Sequence, residues 1–376
     1  MLEHSLASLQ MMVHRAGSVD GEGDGSGVLI DIPLPAWRRR LSAEGLDAAL
    51  VDDPRFTVAH VFFDTEADFA DLMPRIHDIL TAHGFETIWS GEGTVDRSAL
   101  GPRASETPPV FVQIAALARE PGEDASRECY RAMVAIERDI DCHVASFSAN
   151  DAVYKVQGQP EVIPRFYPEM QEPDFASSRI IAHNRYSTNT YPTFSRVQPF
   201  SVLGHNGEIN TIAQLREQTE QLGLPISRNG SDSQDLNRLM EGLIFEKRLS
   251  LLEAAEFAFP PILGEVHRLP AALQDLYVHY REALGPYAQG PASFRWPTSP
   301  ATRPPSPPAR RSPSSPSPTA APACWSTGRC SARCTTAPRA AADCPTRRPA
   351  PSSPVASTPW PRCATSTSTS PPSRNS

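Results

Sequence analysis

Cysteine is nearly missing from the first 292 residues of this 376-residue chain, where only Cys129 and Cys142 occur. Two thiols are too few for a disulfide scaffold, and no spaced Cys/His pairs accompany them, so no metal site is expected. No apolar run approaches the roughly 18 to 20 residues of a membrane-spanning helix. The first thirty residues also lack the charged, apolar and small-residue order of a signal peptide. A cytoplasmic protein with no membrane partner is the expectation. Clustered basic residues are absent as well: residues 1–292 carry a net charge of −18, which argues against a nucleic-acid partner.

The remaining 84 residues lack something else. From Ser293 to Ser376 there is no Leu, Ile, Met, Lys, His or Tyr, while 19 of the 39 prolines, 5 of the 7 cysteines and 11 arginines fall there against one acidic residue, Asp343. Such a segment buries too little apolar surface to offset backbone entropy. The expected organisation is therefore a folded domain over 1–292 and a disordered Pro/Ser/Arg-rich tail over 293–376.

Within the body, apolar spacing predicts a helix over His4–Val13, and a glycine-rich loop, Asp20–Gly27, running into a strand that starts at Val28. Further strands are expected at Phe56–Phe63, Phe85–Trp89, Val110–Ile114, Met133–Ile136, His143–Phe147 and Phe200–Leu203, with a helix over Ala67–His83. Helical periodicity returns at Thr211–Leu222, Asp235–Phe245, Leu251–Phe257 and Leu269–Leu284. Strands first and helices later favour a layered α+β fold. Asp20, Glu22 and Asp24 faintly imitate a calcium loop, but the twelfth position is Asp31 rather than Glu, and a tight strand-entry loop is the better reading.

The densest polar cluster spans residues 183 to 211. An Arg such as Arg185 can grip a carboxylate with two parallel bonds. Asn206 beside the Gly207 backbone N–H can offer two donors to a developing oxyanion. Asp232 can hold an ammonium group. The simpler alternatives are that Arg185 pairs with an internal acid, that Asn206-Gly207 is a hairpin turn, and that Ser231-Asp232 caps a helix.

The order of these motifs carries more than each alone. His14-Arg15, Gly23-Asp24-Gly25-Ser26-Gly27, Val153-Tyr154-Lys155, the run His183–Thr190, Gln198-Pro199, the run His205–Thr211 and Gly290-Pro291-Ala292 follow one another along the chain. Residues 4–292 thereby resemble the glutaminase domain of the glutamate synthase large subunit, a class II glutamine amidotransferase with the four-layer αββα N-terminal-nucleophile hydrolase fold. The resemblance implies L-glutamine as substrate and a synthase region or subunit as partner. Arg185 and Thr188 are implied for the substrate α-carboxylate, Asp232 for its α-amino group, and His205 also for substrate binding. Asn206 and Gly207 are implied as the oxyanion hole, and Arg15 as a residue that positions the nucleophile. FMN and an iron–sulfur cluster, by the same resemblance, belong to the synthase region, and no cofactor is assigned to this chain.

In the resembled family an N-terminal cysteine attacks the glutamine amide, with its own α-amine as base. An α-amine of pKa about 7.7 to 8.0 suits that task near neutral pH. Here thirteen residues precede His14 and none is cysteine. The expectation is a glutamine pocket lacking its catalytic nucleophile, or alternatively a non-catalytic glutamine-binding or interaction module. A late start and a frame shift after Ala292 in a GC-rich gene would explain both ends together.

Overall fold

The computed structural model describes residues 2–12, 14, 16–19, 21–184, 193–227, 230–261, 263–283, 292–295 and 324–326. Residues 1–330 form one unit and 331–376 another, and every described residue belongs to the first. In chain order the elements are α1 (Leu2–Met11), β1 (Ser18–Val19), β2 (Glu22–Gly23), β3 (Ser26–Asp31), α2 (Leu34–Ala43), β4 (Phe56–Phe63), α3 (Glu66–Ala82), β5 (Phe85–Glu92), β6 (Val110–Ala118), α4 (Glu123–Asp139), β7 (His143–Ser148), β8 (Asp151–Val156), α5 (Val162–Phe166) and β9 (Ile180–His183). They continue with β10 (Gly204–Gly207), α6 (Ile212–Gln221), α7 (Asp232–Glu241), α8 (Leu251–Ala258), α9 (Leu263–Val266), α10 (Ala271–Ala283), β11 (Ala292–Arg295) and β12 (Cys324–Ser326).

Strand β4 shows how the layers arise. Side chains alternate across a strand, and all eight residues of β4 are buried because both of its faces are covered. Phe56, Val58 and Phe62 join a core shared with Leu29 of β3 and Val153 of β8, whereas Ala59, Val61 and Phe63 join Ile76 and Leu80 of α3 and Met133 and Ile136 of α4. The strand therefore belongs to a four-stranded antiparallel sheet, ordered β5-β6-β4-β7, with helices on one face and a second sheet, β8-β3-β9, on the other. Beyond that, α1 lies against β9, and α6, α7 and α8 pack around Phe200, Leu203 and Ile209. The expected α+β class with two facing antiparallel sheets is borne out.

Between the sheets runs a polar tie. Gln113 of β6 donates to His60 Nε2 (3.1 Å) and to Glu169 (3.2 Å), Tyr154 of β8 donates to the same carboxylate (2.9 Å), and His60 Nδ1 donates to the Val153 carbonyl (3.0 Å). Arg40 of α2 closes the set with an ion pair to Glu169 at 3.0 Å.

Two expectations need correction, and one element was not expected. Met133–Ile136 is not a strand but part of α4, whose buried residues Ala125, Cys129, Ala132, Met133 and Ile136 recur at helical spacing. A four-residue apolar run cannot by itself distinguish the two. Phe200–Leu203 is a turn, closed by Phe200 N–H donating to the Leu203 carbonyl at 2.9 Å, because its apolar side chains enter the helical core. Helix α2 had no counterpart in the sequence reading. Its apolar contacts, Trp37 and Leu41, bracket three arginines.

Gly27, expected in the glycine-rich loop, lies in β3, which starts at Ser26, and is closely packed there. A Cβ there would lie 2.5 Å from the Gln198 carbonyl oxygen. Gly27→Ala is expected to destabilise the domain by about 1 to 3 kcal/mol, the usual range for overpacking, read as a lower urea midpoint at unchanged slope. Nearby, both carboxylate oxygens of Glu22 in β2 accept backbone N–H groups, from Ala104 (3.1 Å) and Arg103 (2.9 Å), which braces the segment before β6. At the composition break, β11 pairs with β10 in the register Gly207↔Ala292 to Gly204↔Arg295, and β12 pairs with β11. The rest of the expected tail lies outside the described residues.

Candidate functional site

Short strand β10 carries His205, Asn206 and Gly207, and its neighbours fix each of them. The His205 backbone N–H donates to Gln198 Oε1 at 2.7 Å. The segment bearing Gln198 is held by Lys155, whose buried ammonium reaches His143 Nε2 (2.6 Å) and the carbonyls of Ser195 (3.1 Å) and Val197 (3.3 Å). Burial pushes the Lys155 pKa down to about 7, against the pull of Glu137. Asn206 and Gly207 are exposed at the end of β10. Gly207 has φ +134°, a conformation that only glycine adopts without strain. They lie in a strand, so the hairpin-turn alternative does not hold.

The His205 ring is buried, and its Nδ1 lies 2.7 Å from Ser233 Oγ. Burial pushes its pKa down to about 4, with Asp232 opposing that shift and His183 adding to it, so the ring is neutral near pH 7. Ser233 Oγ in turn donates to Asp232 Oδ1 (3.1 Å), as does the Ser233 backbone N–H (2.7 Å), and Ile209 N–H donates to Asp232 Oδ2 (3.3 Å). Asp232 opens α7, where the helix dipole favours a carboxylate. Ser231 before it is the N-cap, in a reciprocal capping box with Gln234. Of the simpler readings, helix capping therefore holds for Ser231, while the Asp232 carboxylate is gathered beside β10.

His183 ends β9, and its Nε2 lies 2.8 Å from Asn206 Oδ1. The next residue, Asn184, donates to the Leu9 (3.4 Å) and Met12 (3.5 Å) carbonyls, tying the end of α1 to the exit of β9. Arg15, Arg185 and Thr188 lie outside the described residues. The site thus brings together His205, Asn206, Gly207 and Asp232 from β10 and α7. Cys129 and Cys142 stand apart from it, and burial pushes both thiols well up, so neither has the character of a reactive thiolate. A cavity of about 1040 Å³ lined by Glu137, His143, Ser195, Ser201, Asn237 and Arg238 borders none of Asn206, Gly207 or Asp232.

Residues 1–297 match the family described as class-II glutamine amidotransferases. The chain belongs to that family. This class-II amidotransferase domain is 31% identical over 327 residues to the chloroplastic ferredoxin-dependent glutamate synthase 2 of Arabidopsis thaliana, covering 78% of this chain and 20% of the relative. It is 29% identical over 299 residues to ferredoxin-dependent glutamate synthase 2 of Synechocystis sp. (73% and 19%). It is 28% identical over 282 residues to the NADH glutamate synthase of Saccharomyces cerevisiae (66% and 13%). The chain thus spans a fifth or less of the length of these relatives. The amidotransferase match reaches residue 297, past the composition break at 292.

Sequence reasoning gave no role to four residues that position this candidate site: His183, Gln198, Ser233 and Lys155. Three of them stood inside quoted motifs, the run from His183, Gln198-Pro199 and Val153-Tyr154-Lys155, and Ser233 adjoined Asp232. The contacts of His183 with Asn206, of Ser233 with His205 and of Lys155 with Ser195 and Val197 join segments 23 to 42 residues apart, which no local pattern shows.

Proposed function

We propose that this chain is the glutaminase domain of a glutamate synthase-like protein, hydrolysing L-glutamine to glutamate and delivering ammonia for 2-oxoglutarate amination in a synthase region. The observation that carries this reading is the Asn206–Gly207 pair, exposed at the end of β10 beside the Asp232 carboxylate. Asn206 Nδ2 and the Gly207 N–H supply the two donors for the oxyanion formed when the glutamine amide is attacked. Asp232 takes the α-ammonium, Arg185 and Thr188 the α-carboxylate, and His205 the side of the pocket next to Asp232. Arg15 positions the attacking thiolate. FMN and an iron–sulfur cluster belong to the synthase region, and the protein works in the cytoplasm.

The attacking group is an N-terminal cysteine, which residues 1–13 do not contain. For the polypeptide beginning at Met1 we expect glutamine-dependent thermal stabilisation but no ammonia above a blank. Ammonia release by that polypeptide would falsify the nucleophile assignment, and failure to be stabilised by millimolar glutamine would remove the pocket. Stabilisation alone is what the second reading, a glutamine-binding module, also requires. The two separate when an N-terminal segment bearing a cysteine is joined to the domain: ammonia release then appears only if the site is catalytic. In that form Arg185→Ala is expected to raise the glutamine KM roughly tenfold or more, the size of a lost charge-assisted hydrogen bond. An unchanged KM would dismiss Arg185 as the carboxylate ligand.

A further inference from the structure

We propose that His183 is a positioning residue that sets which way the Asn206 amide faces, a role that rests on reading Asn206 as an oxyanion donor. A carboxamide has one accepting and one donating arm, and only the donating arm can stabilise an oxyanion. In the structure Asn206 Oδ1 lies 2.8 Å from His183 Nε2. Oδ1 only accepts, so the proton of this bond sits on Nε2. The imidazole thereby holds the carbonyl arm and turns the amide nitrogen away from itself. A ring protonated on Nδ1 alone would offer Nε2 as an acceptor and reverse the preference. Asn206 would then flip, presenting an oxygen where charge develops.

The ring is well placed for this task. His183 is buried, and its backbone is held in the β3–β9 ladder opposite Gly27. Asn206, by contrast, is exposed and sits in a four-residue strand. Its backbone is set from one side by Gln198 through His205 N–H and from the other by the β10–β11 ladder. Those contacts fix where the side chain starts. They do not choose between the two faces of a planar amide, and His183 does.

Two measurements test this. In the polypeptide Met1–Ser376, imidazole 15N shifts should show His183 with its proton on Nε2; a neutral ring protonated on Nδ1 overturns the proposal. The second uses the cysteine-bearing form, with His183→Leu, His183→Gln and Asn206→Ala compared in glutamine hydrolysis. Asn206→Ala should lower kcat about 100-fold, the low end for loss of one oxyanion donor, and His183→Leu should lower kcat measurably but by no more than that, with KM little changed. His183→Gln, whose amide N–H can replace the donor, should recover most of the His183→Leu loss at the same KM. Equal losses in the Leu and Gln variants, or a raised KM at constant kcat, would mean that His183 only supports the fold. If Asn206→Ala lowers kcat while His183→Leu does not, the positioning role fails and the oxyanion reading stands. If Asn206→Ala leaves kcat unchanged, the oxyanion reading itself fails.

Discussion

Acidification from pH 7 to about 4.5 is expected to cost this domain several kcal/mol of stability. Burial pushes His60, His143 and His205 each from 6.5 down to about 4, so the folded form keeps them neutral where the unfolded chain takes up protons. For a depressed group the stability is fully present above the unfolded pKa and is lost as pH falls toward the folded one. Each ring accounts for about 3 kcal/mol over that window. Asp151 works the other way: burial raises it to about 6 despite Arg179, so it favours the folded form as pH falls through the same range, offsetting about one histidine. For these four groups together the net loss is about 6 kcal/mol, against typical domain stabilities of about 5 to 15, and buried Asp235 and Glu241, whose carboxyls burial also raises, act in the same sense as Asp151 and reduce it. Urea unfolding at the two pH values should show it, and His60→Gln should flatten the pH dependence by about half of that net. Equal urea midpoints at both pH values would mean that these rings are not buried neutral.

The second large effect is expected from Arg238→Met. Arg238 of α7 is only 7% exposed and pairs with Glu241 at 2.9 Å and with Glu137 of α4. Burial would raise the Glu137 carboxyl, but Arg238 and the His143 and Val144 hydrogen bonds hold it well below its usual value. Removing the guanidinium leaves two buried carboxylates facing each other. The cost should be about 3 to 5 kcal/mol at pH 7, the range for an uncompensated buried charge. Arg238→Met combined with Glu137→Gln should regain much of it, since removing both charges also removes their desolvation. A double-mutant cycle in urea measures the coupling, and strictly additive losses would show that the pair does not interact. The same helix presents Asp232 at its start, and Asn237 holds the turn before β10 through Val202 N–H at 3.1 Å. The ion network therefore ties the α4 layer to the helix that carries a site residue.

Legibility in the sequence followed how local each signal was. Phe56–Phe63 could be read as a strand because its own composition is β-prone over eight residues, and it is β4 without a residue's difference. Helices at Ala67–His83 and Leu251–Phe257 were legible from the spacing of their apolar residues, and they are α3 and α8 to within one residue at each end. Met133–Ile136 misled because four apolar residues in succession, ended by Glu137 and Arg138, read as a short strand when taken without the buried Ala125, Cys129 and Ala132 that precede them at helical spacing. The tie between the sheets had no local signal at all: His60 and Gln113 are 53 residues apart, and Gln113 and Glu169 are 56.

Chain order alone was enough to establish the class-II amidotransferase family, the α+β class, the composition break and the absence of cysteine before His14, because each depends on which residues are present and in what succession. Orientation and protonation were settled elsewhere. That Asn206 turns its oxygen to His183, that His205 is neutral against Ser233, and that Lys155 is held beside His143 are consequences of contacts across 23, 28 and 12 residues. A hydrogen bond has direction and a buried charge has an environment, and both come from neighbours that only folding supplies.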